Sequence, residues 1–212
     1  HIYDDQGRVS DKRYVDYLAE GETTVTFDVR LVPNRQYTFV AWADMVNGEA
    51  DVDKYFETED LRAVTMIEGT WDAMNEERDA FTATYTTPKD KPYTSSSNIS
   101  LTLTRPFAKI RVVTTDVQDL NNLGVALPTD AAVAYDNNVV INNKFNALTG
   151  VASSDVNAVK NYTFNYANTY AVENGEMTLF ADYLFVNAGA TTKFVLTVTD
   201  HVTKSFSTEI PV

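Results

Sequence analysis

Cysteine is absent from this 212-residue sequence. Disulfide bridges, thiolate nucleophiles and thiolate metal ligands are excluded together. Histidine is almost absent, with only His1 and His201 present. Hydroxyl nucleophiles of the Ser–His type need an imidazole within reach, and neither histidine lies near a GxSxG elbow, a motif the sequence also lacks. His201 reads as a solvated turn residue between two strands, and no catalytic residue is assigned. Glycine is sparse, at eight residues, and none belongs to a GxxxxGK[ST] or GxGxxG loop, so no nucleotide or other cofactor site is assigned. No apolar run reaches the roughly 18 residues that a membrane-crossing helix needs, and no basic, hydrophobic leader precedes the first strand. Basic charge is short as well: 17 Lys and Arg face 30 Asp and Glu, for a net charge of −13. Phosphate backbones and anionic lipid surfaces would repel such a chain, which excludes nucleic acid as a partner.

What the sequence does contain is alternation with the period of a β-strand. Over residues 23–32, Val25, Phe27, Val29 and Leu31 fall on one face and Thr24, Thr26, Asp28 and Arg30 on the other. After the turn signal Pro33-Asn34 the pattern resumes with Tyr37, Phe39, Ala41 and Ala43, so residues 23–32 and 37–44 are expected to pair as a hairpin. Ile99, Leu101 and Leu103 alternate with polar residues, Arg105-Pro106 interrupts, and Ala108, Ile110 and Val112 continue. The same texture returns at Val139 and Ile141, at Tyr162, Phe164 and Tyr166, at Phe194, Leu196 and Val198, and at Phe206, Thr208 and Ile210. Residues 177–186 are apolar on both faces, as a strand covered on each side would be.

Helical signals are few. Thr115 and Gln118 form a capping-box pattern, Val117, Leu120 and Leu123 follow at a spacing of three, and Gly124 sits where a C-terminal cap belongs. A second short helix is expected over residues 72–81, with Trp71 and Met74 facing inward. Strands at this spacing, without long helices between them, give an all-β fold of β-sandwiches with one or two short helices. A domain boundary is placed near Asp116, giving an N-terminal domain over residues 1–116 and a C-terminal one over 117–212.

Two kinds of chemistry could hide in such a fold. Paired carboxylates from distant strands could serve glycoside hydrolysis, which sequence spacing cannot show. The acidic run Glu49, Asp51, Asp53, Glu57, Glu59 and Asp60 begins like a calcium loop at Asp51-Val52-Asp53. Tyr55 and Phe56 stand where such a loop needs an oxygen ligand and glycine, so the run reads as a solvated loop and no metal ligand is assigned. Trp42, Trp71, Tyr93 and Tyr135 could stack on sugars if exposed, but burial is the expectation for Trp42. The sequons at Asn98 and Asn161 fall inside expected strands and read as chance matches.

Taken in order, residues 37–44 (YTFVAWAD), 54–67 (KYFETEDLRAVTMI), 78–81 (RDAF) and 103–116 (LTRPFAKIRVVTTD) resemble the N-terminal half of the fimbrillin-like fimbrial subunits of Bacteroidetes. The likeness covers roughly the first 120 residues well; beyond them it rests on residues 145–150 (FNALTG) and 177–186. The resemblance implies two transthyretin-like β-sandwiches in tandem, export as a lipoprotein, and assembly into fimbriae at the cell surface. It also implies that an early strand is removed by proteolysis and that a neighbour's strand fills the groove, a case of β-augmentation. Expected partners are therefore other copies or related pilin subunits by strand exchange, with a host protein or glycan as an adhesive target. The outer membrane would be reached only through a lipid anchor outside this chain. The family pattern continues with further strand and arginine-rich sequence after a segment like residues 206–212, so the second domain is expected to be short at its C-terminus. The alternative is an outer-surface lipoprotein that binds a glycan or host protein as an isolated module.

Overall fold

In the computed structural model, residues 1–7, 13–89, 97–135, 141–154, 161–165, 175–190, 192–199 and 205–211 are described. The chain is all-β, with 13 strands arranged in antiparallel sheets, one short helix and one 3-10 turn among the described residues. Its contacts gather into two compact units, residues 1–70, 77–106 and 145–151 in the first and 71–76, 107–144 and 152–212 in the second.

The first unit is organised around β2 (Tyr37–Ala43), the middle strand of a three-stranded sheet. β1 (Ile2–Asp4) lies on one flank, with Ile2 opposite Phe39 and Asp4 opposite Tyr37. β5 (Phe81–Thr86) lies on the other, with Thr38 opposite Thr86 and Ala43 opposite Phe81. A second sheet runs in the order β3 (Phe56–Glu57), β4 (Val64–Met66), β8 (Lys144–Asn146) and β9 (Val151–Ser153). The two sheets meet through aromatic rings: Trp42 of β2 lies 5.6 Å from Phe56 and 6.3 Å from Phe145. Val40 and Trp42 of β2 therefore face the core, and Val40, Phe56 and Val64 are all but inaccessible to solvent.

The second unit pairs β6 (Phe107–Thr114) with the nine-residue β11 (Met177–Phe185), from Phe185 opposite Phe107 to Met177 opposite Thr114, with a bulge between Thr178 and Phe180. Its other sheet has the order β10 (Asn161–Asn165), β7 (Asp130–Tyr135), β12 (Lys193–Thr199) and β13 (Ser205–Pro211). Tyr135 of β7 and Phe194 of β12 pack on Phe180 of β11, with centroids 6.3 and 5.0 Å away, so these sheets also stack face to face. Each fully buried aromatic or leucine in this layer contributes about 1.5–3 kcal/mol of transfer free energy.

The helix α1 (Val117–Asn122) ends as expected: Gly124 adopts φ 65°, its N–H donates to Asn121 O, and the Val125 N–H donates to Leu120 O. That pair of bonds is a Schellman closure. The start differs from expectation, because Asp116 holds the N-cap position without a side-chain capping bond and Thr114 Oγ1 donates to Asp116 instead. The helix expected over residues 72–81 shrinks to a 3-10 turn at Glu76–Arg78. Met74 has φ 63°, a left-handed conformation that stops a right-handed helix, and its N–H is spent on Ala181 O in β11.

The expected hairpin of residues 23–32 with 37–44 is not formed. Residues 22–32 carry no strand assignment, and the flank of β2 that they would occupy holds β1. The expected strand around Ile99, Leu101 and Leu103 is reduced to one bridge, Thr82 with Thr104, although these three residues remain less exposed than Ser100, Thr102 and Thr104. Val139, Tyr166 and His201 lie outside the described residues.

Candidate functional site

Polar clusters in the structure are closed on themselves. In the second unit Asp182, 1% exposed, accepts hydrogen bonds from Tyr135 Oη at 2.9 Å and the Tyr183 N–H at 2.8 Å, with Trp71 Nε1 at 3.5 Å. Two of the aromatics weighed as sugar platforms, Trp71 and Tyr135, thus turn inward and converge on one buried carboxylate, which needs donors to be tolerated there. Also in this unit, Glu76 accepts from Lys109 Nζ and Tyr183 Oη, each at 2.5 Å. Burial would raise the Glu76 carboxyl, but the bonds from Lys109 and Tyr183 outweigh it and hold the group below its usual value.

In the first unit Glu77 takes Lys54 Nζ at 2.7 Å and Tyr55 Oη at 2.6 Å, and the hydrogen bond from Lys54 lowers its pKa. Asp79 accepts both Arg105 Nε and Nη2, and Asp60 accepts a forked pair from Arg62, whose guanidinium holds the Asp60 carboxyl below its usual value. One more member of the acidic run is used the same way: Asp53 accepts from the Thr58 N–H and hydroxyl, both at 2.7 Å, and forms a β-bridge with Val46. No group of three His, Asp or Glu that could hold a metal occurs among the described residues. Asp44, just past β2, is one exception: its buried Oδ2 has no partner among the described residues, nor do His1 Nδ1 and Thr192 Oγ1. Burial pushes the Asp44 carboxyl up to about 6, the indole N–H of Trp42 offsets part of that rise, and the charge of Asp53 adds to it.

Trp42 is half-buried between Phe56 and Phe145. Asn98 is exposed and outside any strand, Asn161 falls in β10, and Tyr93 lies outside the described residues. His1 sits at the β2 flank, where its N donates to Val40 O at 2.8 Å.

What stands unsatisfied is backbone and apolar surface before β2. Over residues 23–29, none makes a hydrogen bond to another described residue. Val25, Phe27 and Val32 are 41%, 40% and 58% exposed, and upstream Val15, Tyr17 and Leu18 are exposed too. Phe27 has one ring neighbour, Tyr14 at 6.0 Å. Seven successive residues whose N–H and C=O groups make no bond among the described residues, with alternating apolar side chains, form a ready strand. Sequence reasoning found the alternation but gave it a partner; the vacancy follows from β1 holding that flank.

No curated protein and no solved structure matches the chain. One family match spans residues 1–212, and its description is a family of unknown function, DUF6562. The chain belongs to this family over its whole length.

Proposed function

We propose that this protein is a structural and adhesive subunit of bacterial surface fimbriae, which joins other copies or related pilin subunits by β-strand complementation. In this reading the two compact units are transthyretin-like β-sandwiches in tandem, and a lipid anchor outside this chain ties the fibre to the outer membrane. The observation that carries it is the unpaired segment at residues 23–29, where main-chain hydrogen-bonding groups and alternate apolar side chains are both left open. A strand added there, or the segment added to a neighbour's sheet, would gain hydrogen bonds and bury Val25 and Phe27 together. The resemblance of residues 37–44 and 103–116 to fimbrillin-like subunits supports the same reading, as do polar clusters that are spent on internal contacts. The net charge of −13 would keep isolated subunits apart until a specific contact forms.

The test is gold labelling of intact source cells with antibody to this chain, viewed by electron microscopy. Label strung along filaments is the expected result. Diffuse label on a surface without filaments would overturn the fibre reading and direct attention to an isolated binding module. In solution, Phe27→Glu is expected to abolish self-association of the purified chain while leaving its far-ultraviolet circular dichroism unchanged.

A further inference from the structure

We infer that β1 and residues 23–32 are alternative occupants of one flank of β2, so that the first unit has a second strand arrangement written into its sequence. This goes beyond the assembly reading and holds for a single chain.

The register comes from the turn. Val32 N donates to Tyr37 Oη at 3.2 Å, that hydroxyl lies 3.3 Å from Val32 O, and Asn34 reverses the chain with φ 63°. The Tyr37 side chain thus tethers the Val32 main chain across a four-residue loop, which favours a hairpin with residues 32 and 37 opposed. Continued antiparallel, that register sets Leu31 opposite Thr38, Val29 opposite Val40 and Phe27 opposite Trp42. Directly opposed residues share a face of the sheet. Val40 and Trp42 face Phe56 and Phe145, so the same face would receive Val25, Phe27, Val29 and Leu31, while Thr26, Asp28 and Arg30 would go to the other. A slip of one residue would invert the pattern. The turn and the alternation therefore agree on one register, although neither determines the other.

The occupant is equally specific. The Val40 N–H donates to His1 O at 2.9 Å and its carbonyl accepts from His1 N at 2.8 Å. Main-chain groups of alternate residues point to the same flank, so Thr38 and Trp42 present theirs on this side as well. These are the groups that Leu31, Val29 and Phe27 would use in the hairpin, and Tyr3 now stands opposite Thr38. The two arrangements exclude each other at Thr38 and Val40. Each buries apolar side chains that the other leaves more open: Ile2 and Tyr3, now 2% and 0% exposed, against Val25 and Phe27, now 41% and 40% exposed, and the half-buried Val29 and Leu31. Exchange of like for like is what allows two arrangements to coexist in one sequence.

Two cysteine pairs in the otherwise cysteine-free chain test the exchange. Ile2→Cys with Phe39→Cys spans facing residues of β1 and β2 and locks the arrangement seen here. Thr26→Cys with Ala43→Cys spans residues that face each other only in the hairpin register. Disulfides require the Cα atoms to approach within about 7 Å. The expected result is that both pairs oxidise in the folded chain. In the hairpin-locked form the β1 amides should exchange with solvent at least about tenfold faster while β5 stays protected. The inference is overturned if the hairpin pair stays reduced where the β1 pair oxidises fully, if locking it costs β5 its protection, or if it leaves β1 protected. Deletion of residues 1–5 gives a second reading: amides of residues 25–31 should slow by at least about tenfold. Unchanged exchange there with β5 intact also overturns it, and if the deletion unfolds β5 the disulfide pair decides.

Discussion

Residues 23–32 and β12 carry the same message in sequence and meet different fates in structure. Val25, Phe27, Val29 and Leu31 alternate with polar residues just as Phe194, Leu196 and Val198 do. β12 lies between β7 and β13, with Phe194 1% and Leu196 2% exposed, whereas Val25 and Phe27 stay 41% and 40% exposed and residues 23–29 are unpaired among the described residues. The difference lies in the flank, not in the strand. Alternation states which face should be buried, but the main-chain partner comes from elsewhere in the chain, and for β2 it comes from β1. An unpaired alternating strand is costly to keep in a soluble subunit, because it invites edge pairing, and useful in one that assembles.

The largest effect that sharpens this contrast is a pair of truncations. Phe194→Ala removes a ring packed on Tyr135 and Phe180 and should cost about 3–5 kcal/mol in urea unfolding, whereas Phe27→Ala should cost under about 0.5 kcal/mol. Equal costs would break the comparison. Asp182→Ala comes next: it removes the buried carboxylate that accepts from Tyr135 Oη and the Tyr183 N–H and should destabilise by about 2–3 kcal/mol, while Asp182→Asn, which keeps an acceptor, should lose less.

A smaller and opposite effect is expected at Asp44, the residue that Val25 would face in the alternative hairpin. Its folded pKa is raised to about 6, so the folded chain holds this proton more tightly than the unfolded chain does. That contribution is present in full below the ordinary value of 3.8 and is lost as pH rises through about 6. Asp44→Asn should therefore stabilise the chain at pH 7 by about 1–3 kcal/mol and flatten this part of the stability–pH curve. The smallest effect is at α1. Gly124→Ala meets no atom within 4 Å but must hold φ 65°, for a cost of about 1 kcal/mol in thermal unfolding.

Local signals in the sequence predicted local structure well. The cap at Gly124, the strand β6 after the Arg105-Pro106 interruption, the strand β12 and the doubly covered β11 all follow from spacing within a few residues. Features that depend on distant partners did not show. β7, with the sequence DAAVAY, is alanine-rich and carries no strong strand signal, yet it is central because β10 and β12 flank it. Asp182 hides inside an apolar run, and its partners Tyr135 and Trp71 are 47 and 111 residues away. The helix over residues 72–81 failed because Met74 is tied to Ala181 in β11. The open segment was legible as a strand but not as an unpaired one, since only the presence of β1 on the flank reveals that.

The most direct measurement is amide hydrogen exchange on the isolated wild-type chain, residue by residue. The account predicts that amides of residues 23–29 exchange at close to unstructured rates while Phe194, Leu196 and Val198 stay protected. Protection of residues 23–29 comparable to that of β12 in the monomer would show that the strand already has a partner and would contradict the account.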